Sequence, residues 1–362
     1  MTALKSLFYL ASDLSPGNSA ARHLARIAMG LNRERFQVQV GALAGSDSPL
    51  ADDLRAAAIP VHAVPIRNAL DWSGQRRLRN TVANAKPALV HAWGARAARS
   101  LTGIPAVALV SDASFAPPGL NGWWTVRRLR RCNRIVTSTW AEGERYHRRG
   151  VPTERFTRIA PGVAPPKAPN RELILKELGV PANARLIVVA ADLEVDAGLK
   201  SAIWAFDLVR YEFPELHLAI VGDGPERESL QDFARALMFD DLRVRFASAR
   251  ADLADALTVA EFAWVTHERG DHLFALEAMA AGVPVIGWNQ PSVAEVVEDG
   301  RSGLLVDLHD RAQLAAKTYP LLTDAAARSA LGTAGRERAA DRFPLARAVE
   351  HFEALYDELT DP

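Results

Sequence analysis

Short apolar runs and helix-spaced stretches alternate along this chain from end to end. Leu7–Leu10 is an apolar run, and SAARHLARIAMGL after it repeats Leu24, Ile27, Ala28 and Leu31 at helical spacing. FQVQVGAL, ALVHAWG, AVALVS and RIVTST read as further strands, with helices over ARAARSLT, near Val126–Arg131 and from Trp140. A second series runs RLIVVAADL, LHLAIVGDGP, VRFAS, EFAWVTH, VPVIGW and GLLVDL. Helices over LKSAIWAFDLVRY, ESLQDFARALMF, ADLADALTVA and Leu273–Ala281 separate its strands, and a long Ala/Arg-rich helical tail follows. Strands joined through helices line up in parallel, with helices on both faces of the sheet. Open sheets of this kind bind ligands at the carboxyl ends of their strands.

PGVAPPKAPN, residues 161–170, has no period and reads as a linker. It predicts an α/β protein of two domains, 1–165 and 166–340. The last stretch, 341–362, is expected as a helix packing back toward the first domain. The length of 362 residues, 49% of them hydrophobic, suits two cores rather than one.

The net charge of zero hides a division. Residues 1–165 hold 23 Lys+Arg against 10 Asp+Glu, and residues 166–362 hold 20 against 33. The basic half suits anionic partners. NGWWTVRRLRRCNR, 121–134, interleaves aromatics and cations as interfacial helices do. Trp123, Trp124, Arg127, Arg128, Arg130 and Arg131 are therefore candidates for contact with a membrane surface. A solvated basic helix with core-packed Trp, or contact with an acidic partner, are the alternatives. No nucleic-acid motif accompanies the Arg cluster. A single cysteine, Cys132, excludes an intramolecular disulfide and fits a reducing cytoplasm. The N-terminal apolar run is too short for a signal-peptide core, and no run of 18 apolar residues exists. The chain is expected in the cytoplasm, with the inner face of the membrane as its alternative station.

Two segments carry chemistry. LAIVGDGPERESL, 218–230, is a strand, a glycine turn with Gly222 and Gly224, and a helix whose N-terminus suits a phosphate. THERGDHLFALEAMAAGVPVIG, 266–287, again sets a helix N-terminus after a strand, and that helix carries one acid, Glu277. Glu277 suits a hydroxylated ligand such as ribose; a solvated helix acid is the alternative.

The order VGDGP, LEAMAAGVPVIG and SVAEVVEDGRSGLLV resembles the retaining family-4 type glycosyltransferases of the GT-B fold. SPGNSAARHLARIAMGL looks like their N-terminal glycine loop and first helix, which places Gly17 and Asn18 on the acceptor side. The resemblance implies two Rossmann-like domains facing a cleft, with a nucleotide-diphosphate sugar in the second and an acceptor, an envelope glycan or a lipid-linked one, in the first. It implies that Glu277 binds the donor ribose and that Gly270, Leu273 and Phe274 lie near its phosphates or sugar. Gly222 and Gly224 would line the nucleotide side. His91, at a strand's carboxyl end, is a candidate base or acceptor ligand, with a structural His as the alternative. No cofactor and no resident metal are expected.

This sequence departs from the family pattern where charge matters most. AADLEVDAGL puts Asp192 and Ala197 where the family has the Arg and Lys that clamp the diphosphate. Arg269 stands eight residues before Glu277, where the family has a first acid. Ser111 precedes Asp112 where a His–Asp pair lies near the transferred sugar, so Ser111 and Asp112 are the catalytic candidates there. A unit charge pair at 4 Å is worth on the order of 4 kcal/mol at an effective dielectric of 20, enough to change rates by decades. Arg269 or Lys200 supplying the missing charge, or a divalent ion on Asp192 and Asp196, would compensate. A catalytically impaired binding or scaffold protein is the alternative to an active glycosyltransferase.

Overall fold

The computed structural model describes residues 4–44, 46–68, 71–101, 106–110, 120–167, 170–239 and 243–360. The chain divides into two compact units, Met1–Gly162 with Leu345–Pro362, and Val163–Pro344. The divisions fall three residues before and four after those placed from the linker and the tail.

The first unit holds seven strands: β1 (Lys5–Ala11), β2 (Phe36–Ala42), β3 (Val61–Ala63), β4 (Leu89–Trp93), β5 (Ala106–Val110), β6 (Ile135–Thr137) and β7 (Phe156–Arg158). Between them run α1 (Ser19–Gly30), α2 (Pro49–Ala56), α3 (Trp72–Ala85), α4 (Ala95–Ser100), α5 (Leu120–Leu129) and α6 (Trp140–His147). The sheet order is β3-β2-β1-β4-β5-β6-β7, with parallel pairing throughout. The order reverses between β1 and β4, where the chain leaves the sheet in opposite directions and opens a crevice.

The second unit begins with α7 (Arg171–Glu177) and continues β8 (Arg185–Ala190), α8 (Leu199–Val209), β9 (Leu216–Val221), α9 (Arg227–Met238), β10 (Val244–Ala247) and α10 (Leu253–Leu257). Then come β11 (Phe262–Val265), α11 (His272–Ala280), β12 (Val285–Trp288), α12 (Pro291–Val296), β13 (Leu304–Val306), α13 (Arg311–Thr323) and α14 (Ala325–Arg342). Its order is β10-β9-β8-β11-β12-β13, again parallel, with the reversal between β8 and β11. The strands bury both faces, as sheets covered by helices require.

The expected helical tail is three helices, α13, α14 and α15 (Leu345–Thr360). α15 returns to the first unit. Ala348, Val349, Phe352, Leu355 and Tyr356 form its buried stripe at helical spacing. Its acids meet basic residues there. Lys5 Nζ donates to Asp357 at 2.6 Å and Arg35 to Glu353 at 2.6 Å, and Arg134 pairs with Glu358. With 345–362 counted in, the first unit holds 24 Lys+Arg against 15 Asp+Glu, which cuts its excess from +13 to +9.

Candidate functional site

The reversal between β8 and β11 sets two loops side by side at the carboxyl edge of the second sheet. Residues 191–198 follow β8 and 266–271 follow β11. They are stitched together. The Glu268 amide donates to the Asp196 carbonyl at 2.9 Å, and Thr266 Oγ1 donates to the Ala197 carbonyl at 3.1 Å. Arg269 forms an ion pair with Asp196, and His267 Nε2 lies 3.8 Å from the same carboxylate. The end of β12 joins them, as Trp288 Nε1 donates to the Thr266 carbonyl at 2.6 Å. Val189–Ala191, Ala197, Trp264–His267, Asp271 and Phe274 line a narrow crevice there.

Arg269 is therefore held by Asp196 across the two loops. Lys200 is exposed on the first turn of α8, and Asp192 is half-buried in the β8–α8 loop. Among the described residues no group of three or more His, Cys, Asp or Glu side chains is placed to hold a metal ion.

α11 starts at this edge. Asp271 caps it, its Oδ1 accepting from the Phe274 amide at 3.0 Å. The Gly270 amide donates to the His267 carbonyl at 2.9 Å. Both amides are thus engaged by the protein, and those of the first helical residues, His272 and Leu273, precede the first intrahelical bond. All nine residues of α11 are buried. Ala275, Ala278 and Ala280 allow that close packing. Glu277 is 1% exposed, so it is not the solvated helix acid that the sequence left open. A carboxylate costs free energy in such a place unless polar partners meet it.

The glycines have a structural reason of their own. A Cβ on Gly222 would stand 1.9 Å from the Ala191 carbonyl oxygen, and one on Gly224 2.6 Å from that of Leu193. The Gly222–Gly224 turn is pressed against the β8–α8 loop, which the Leu193 amide anchors to the Asp223 carbonyl at 3.0 Å. These glycines shape the loop rather than leave room beside it. Gly198 has φ +69°, and a Cβ there would lie 1.9 Å from the Thr266 carbonyl oxygen. Gly198→Ala is expected to cost about 3 kcal/mol through strain and clash and to part the two site loops. Denaturant midpoints check this; a variant within about 0.5 kcal/mol of the parent refutes the tight approach.

In the first unit, Gly17 and Asn18 lie in the β1–α1 loop beside the reversal between β1 and β4. Asn18 is the N-cap of α1, accepting from Ala20 at 3.0 Å and Ala21 at 3.3 Å. Arg22, buried, holds the loop by donating to the Pro16 and Gly17 carbonyls at 2.5 and 3.2 Å.

His91 does not face a binding surface. It is 0% exposed in the middle of β4, stacked on Trp93 at 4.5 Å. Its Nδ1 bonds Tyr356 Oη at 2.8 Å, and Tyr356 bonds Tyr9 Oη at 2.7 Å. Burial, with His23 nearby, depresses its pKa to about 3. It is a neutral core ring joining β1, β4 and α15, not a solvent-facing base. Sequence spacing could not reveal this because α15 lies more than 250 residues away. Ser111 and Asp112 lie outside the described residues.

Most of the basic aromatic stretch is α5, which starts before Val126 and ends at Leu129, just before Arg130 and Arg131. Trp123 and Trp124 are 53% and 54% exposed, not core-packed, and meet edge to face at 4.8 Å. Arg127 lies over Trp123 at 5.5 Å. Arg130 and Arg131 are exposed, whereas Arg128 turns back to donate to the Ala98 carbonyl at 3.2 Å. Trp72 and Trp140, first residues of α3 and α6, are exposed as well. Helices that follow parallel strands start at the sheet's carboxyl edge, so all four tryptophans belong to that edge. No helix among the described residues is long and apolar enough to cross a membrane.

Comparison with known proteins agrees with this geometry. The family model "Glycosyl transferases group 1" matches residues 170–338, and "Glycosyltransferase Family 4" matches 20–166. The chain is 32% identical over 62% of its length to D-inositol 3-phosphate glycosyltransferase of Thermobispora bispora, covering 56% of that protein. It is 28% identical over 51% of its length to N-acetyl-alpha-D-glucosaminyl L-malate synthase of Bacillus anthracis, covering 49%. The chain thus spans about half the length of the curated relatives it matches. Among solved structures, Anabaena HepE in complex with UDP and glucose superposes with a TM-score of 0.82 at 22% identity, over 98% of this chain and 99% of that one. WaaG, a glycosyltransferase involved in lipopolysaccharide biosynthesis, does so at 0.76 and 17%, over 98% and 100%. At these identities the structures show the fold alone. Two matched domains, each a parallel sheet under helices, make the conclusion plain: the chain belongs to the family-4 type glycosyltransferases of the GT-B fold.

Proposed function

We propose that this chain moves a sugar from a nucleoside-diphosphate sugar to a glycan or lipid-linked acceptor, with retention at the anomeric carbon. The second unit holds the donor and the first the acceptor. The observation that carries the reading is Glu277, a single acid on a wholly buried helix that starts at the switch point of the second sheet. Its two oxygens suit the paired hydroxyls of a ribose. The positive end of α11 suits the phosphates, on which negative charge grows as the sugar leaves. HepE, superposing over nearly the whole chain, is described with UDP and glucose and with UDP-glucose.

Turnover of a nucleotide-sugar panel with a membrane extract as acceptor tests this, read as nucleoside diphosphate released and sugar incorporated. Incorporation from at least one donor is expected. The Arg269–Asp196 pair favours a second reading, a binding relative with an occluded phosphate site. No turnover together with no nucleoside-diphosphate binding would decide for that one.

The acceptor unit is proposed to meet an anionic membrane surface through α5 and the arginines that follow it. Trp123 and Trp124 provide apolar area, and Arg127, Arg130 and Arg131 provide charge. Trp123→Ala with Trp124→Ala is expected to weaken binding to anionic vesicles by about one to two decades, from the apolar area lost. Cosedimentation reads this; equal binding of the parent to neutral and anionic vesicles counts against it.

A further inference from the structure

The two loops at the switch point of the second sheet carry an unbalanced set of charges. The loop after β8 brings Asp192, Glu194 and Asp196, all acids. The loop after β11 brings His267, Glu268, Arg269 and Asp271. Arg269 is the permanent cation of the two loops, and it stands three residues before the positive end of α11. Its guanidinium is paired with the Asp196 carboxylate. Each side chain of the pair is 27% exposed, so solvent and solutes reach both.

We infer that Arg269 is the phosphate-binding cation of this chain and that the Asp196 carboxylate is an internal stand-in, displaced when a diphosphate binds. A guanidinium accepts a carboxylate and a phosphate through the same fork of N–H groups, so the two anions compete for it. The exchange leaves the backbone links of the two loops in place. The Asp196 carbonyl stays fixed by the Glu268 amide at 2.9 Å. The Arg269 amide donates to His267 Nδ1 at 3.2 Å, and its carbonyl accepts from Ser292 Oγ at 3.4 Å. The side-chain ion pair with Asp196 has to open. This rests on the reading of the second unit as the donor site. It adds that diphosphate affinity is set by an internal competitor.

Calorimetry with UDP and GDP as probes, and uridine and guanosine as uncharged controls, tests it on the full chain. Asp196→Asn is expected to bind a diphosphate about tenfold tighter, the usual scale for a charge within 4–6 Å of an ionised group. Arg269→Gln is expected to bind about tenfold more weakly. In the double variant the gain from Asp196→Asn disappears, because Asp196 acts through Arg269. Nucleoside controls are unchanged throughout. Melting curves without ligand confirm that each variant is folded, and Arg269→Lys, which keeps charge without the fork, is expected to lie between parent and Arg269→Gln. An unchanged affinity in Asp196→Asn overturns the inference. So does a gain that persists in the double variant, since Asp196 would then repel the ligand directly. In both cases loss of binding in Glu277→Ala leaves the donor-site reading standing. If no probe binds the parent or any variant, the donor-site reading falls and the inference with it.

Discussion

Glu277→Ala is expected to weaken nucleoside-diphosphate binding by about two decades or more, and to remove transfer activity with it. Hydrogen bonds to a charged group are worth about 1.5–3 kcal/mol each, and a carboxylate that takes both ribose hydroxyls makes two. The same change removes a charge from a fully buried helix. A purely structural carboxylate, cut away, leaves its buried partners unpaired and costs about 3–5 kcal/mol. A ligand-binding carboxylate is kept at the expense of stability, so its loss is tolerated or stabilising. Glu277→Gln separates the two further, because it keeps the shape and one acceptor while losing the charge. The expected pattern is an Ala variant that still unfolds cooperatively and binds no diphosphate. A variant that melts much earlier, while residual folded protein binds normally, would show that Glu277 serves packing alone.

The period of the apolar positions revealed most of the architecture, and revealed it best in the second unit. Its four central strands, β8, β9, β11 and β12, are largely apolar runs, because they are covered on both faces. β3 and β7 escaped the reading for the opposite reason. Each has three residues, lies at a sheet edge and is half-exposed, so neither makes an apolar run. Gly198, Gly222 and Gly224 were visible as turn residues, but the carbonyl oxygens that exclude a side chain there come from other loops. The chemistry divides in the same way. Glu277 stood out as the one acid on an apolar helix, since sequence shows composition directly. That Arg269 is committed to Asp196 did not, because the pair joins residues 73 apart through the crossing of two sheet connections. For His91 the sequence leaves a base and a structural ring both open for a related reason. The end of a strand is open or closed according to what packs on it, and α15 arrives from the far end of the chain.

Acidification is expected to destabilise the first unit through that same histidine. The ordinary imidazole pKa is 6.5, and burial, with the nearby His23, lowers that of His91 to about 3. The sign follows from proton counting. Between these values the unfolded chain carries the proton and the folded chain does not, so stability is full above pH 6.5 and falls as pH drops toward 3. Each unit of separation is worth 1.36 kcal/mol, so by pH 5 the loss is about 2 kcal/mol, and it approaches about 5 kcal/mol near pH 3. The folded state cannot relieve this by charging the ring. Tyr9 and Tyr356 are phenols pushed far up by burial, Tyr356 Oη sits on Nδ1, and among the described residues no carboxylate bonds the imidazole. The step runs opposite to that of an exposed His paired with an acid, which would gain stability on acidification. Urea unfolding of the parent and of His91→Gln across pH 4–7 isolates the ring's contribution, because other groups cancel in the difference. The parent is expected to lose its advantage over the variant as pH falls, with α15 released along with β1 and β4. A difference that stays flat across that range would show that His91 titrates alike in the folded and unfolded chains, which full enclosure beneath α15 does not allow.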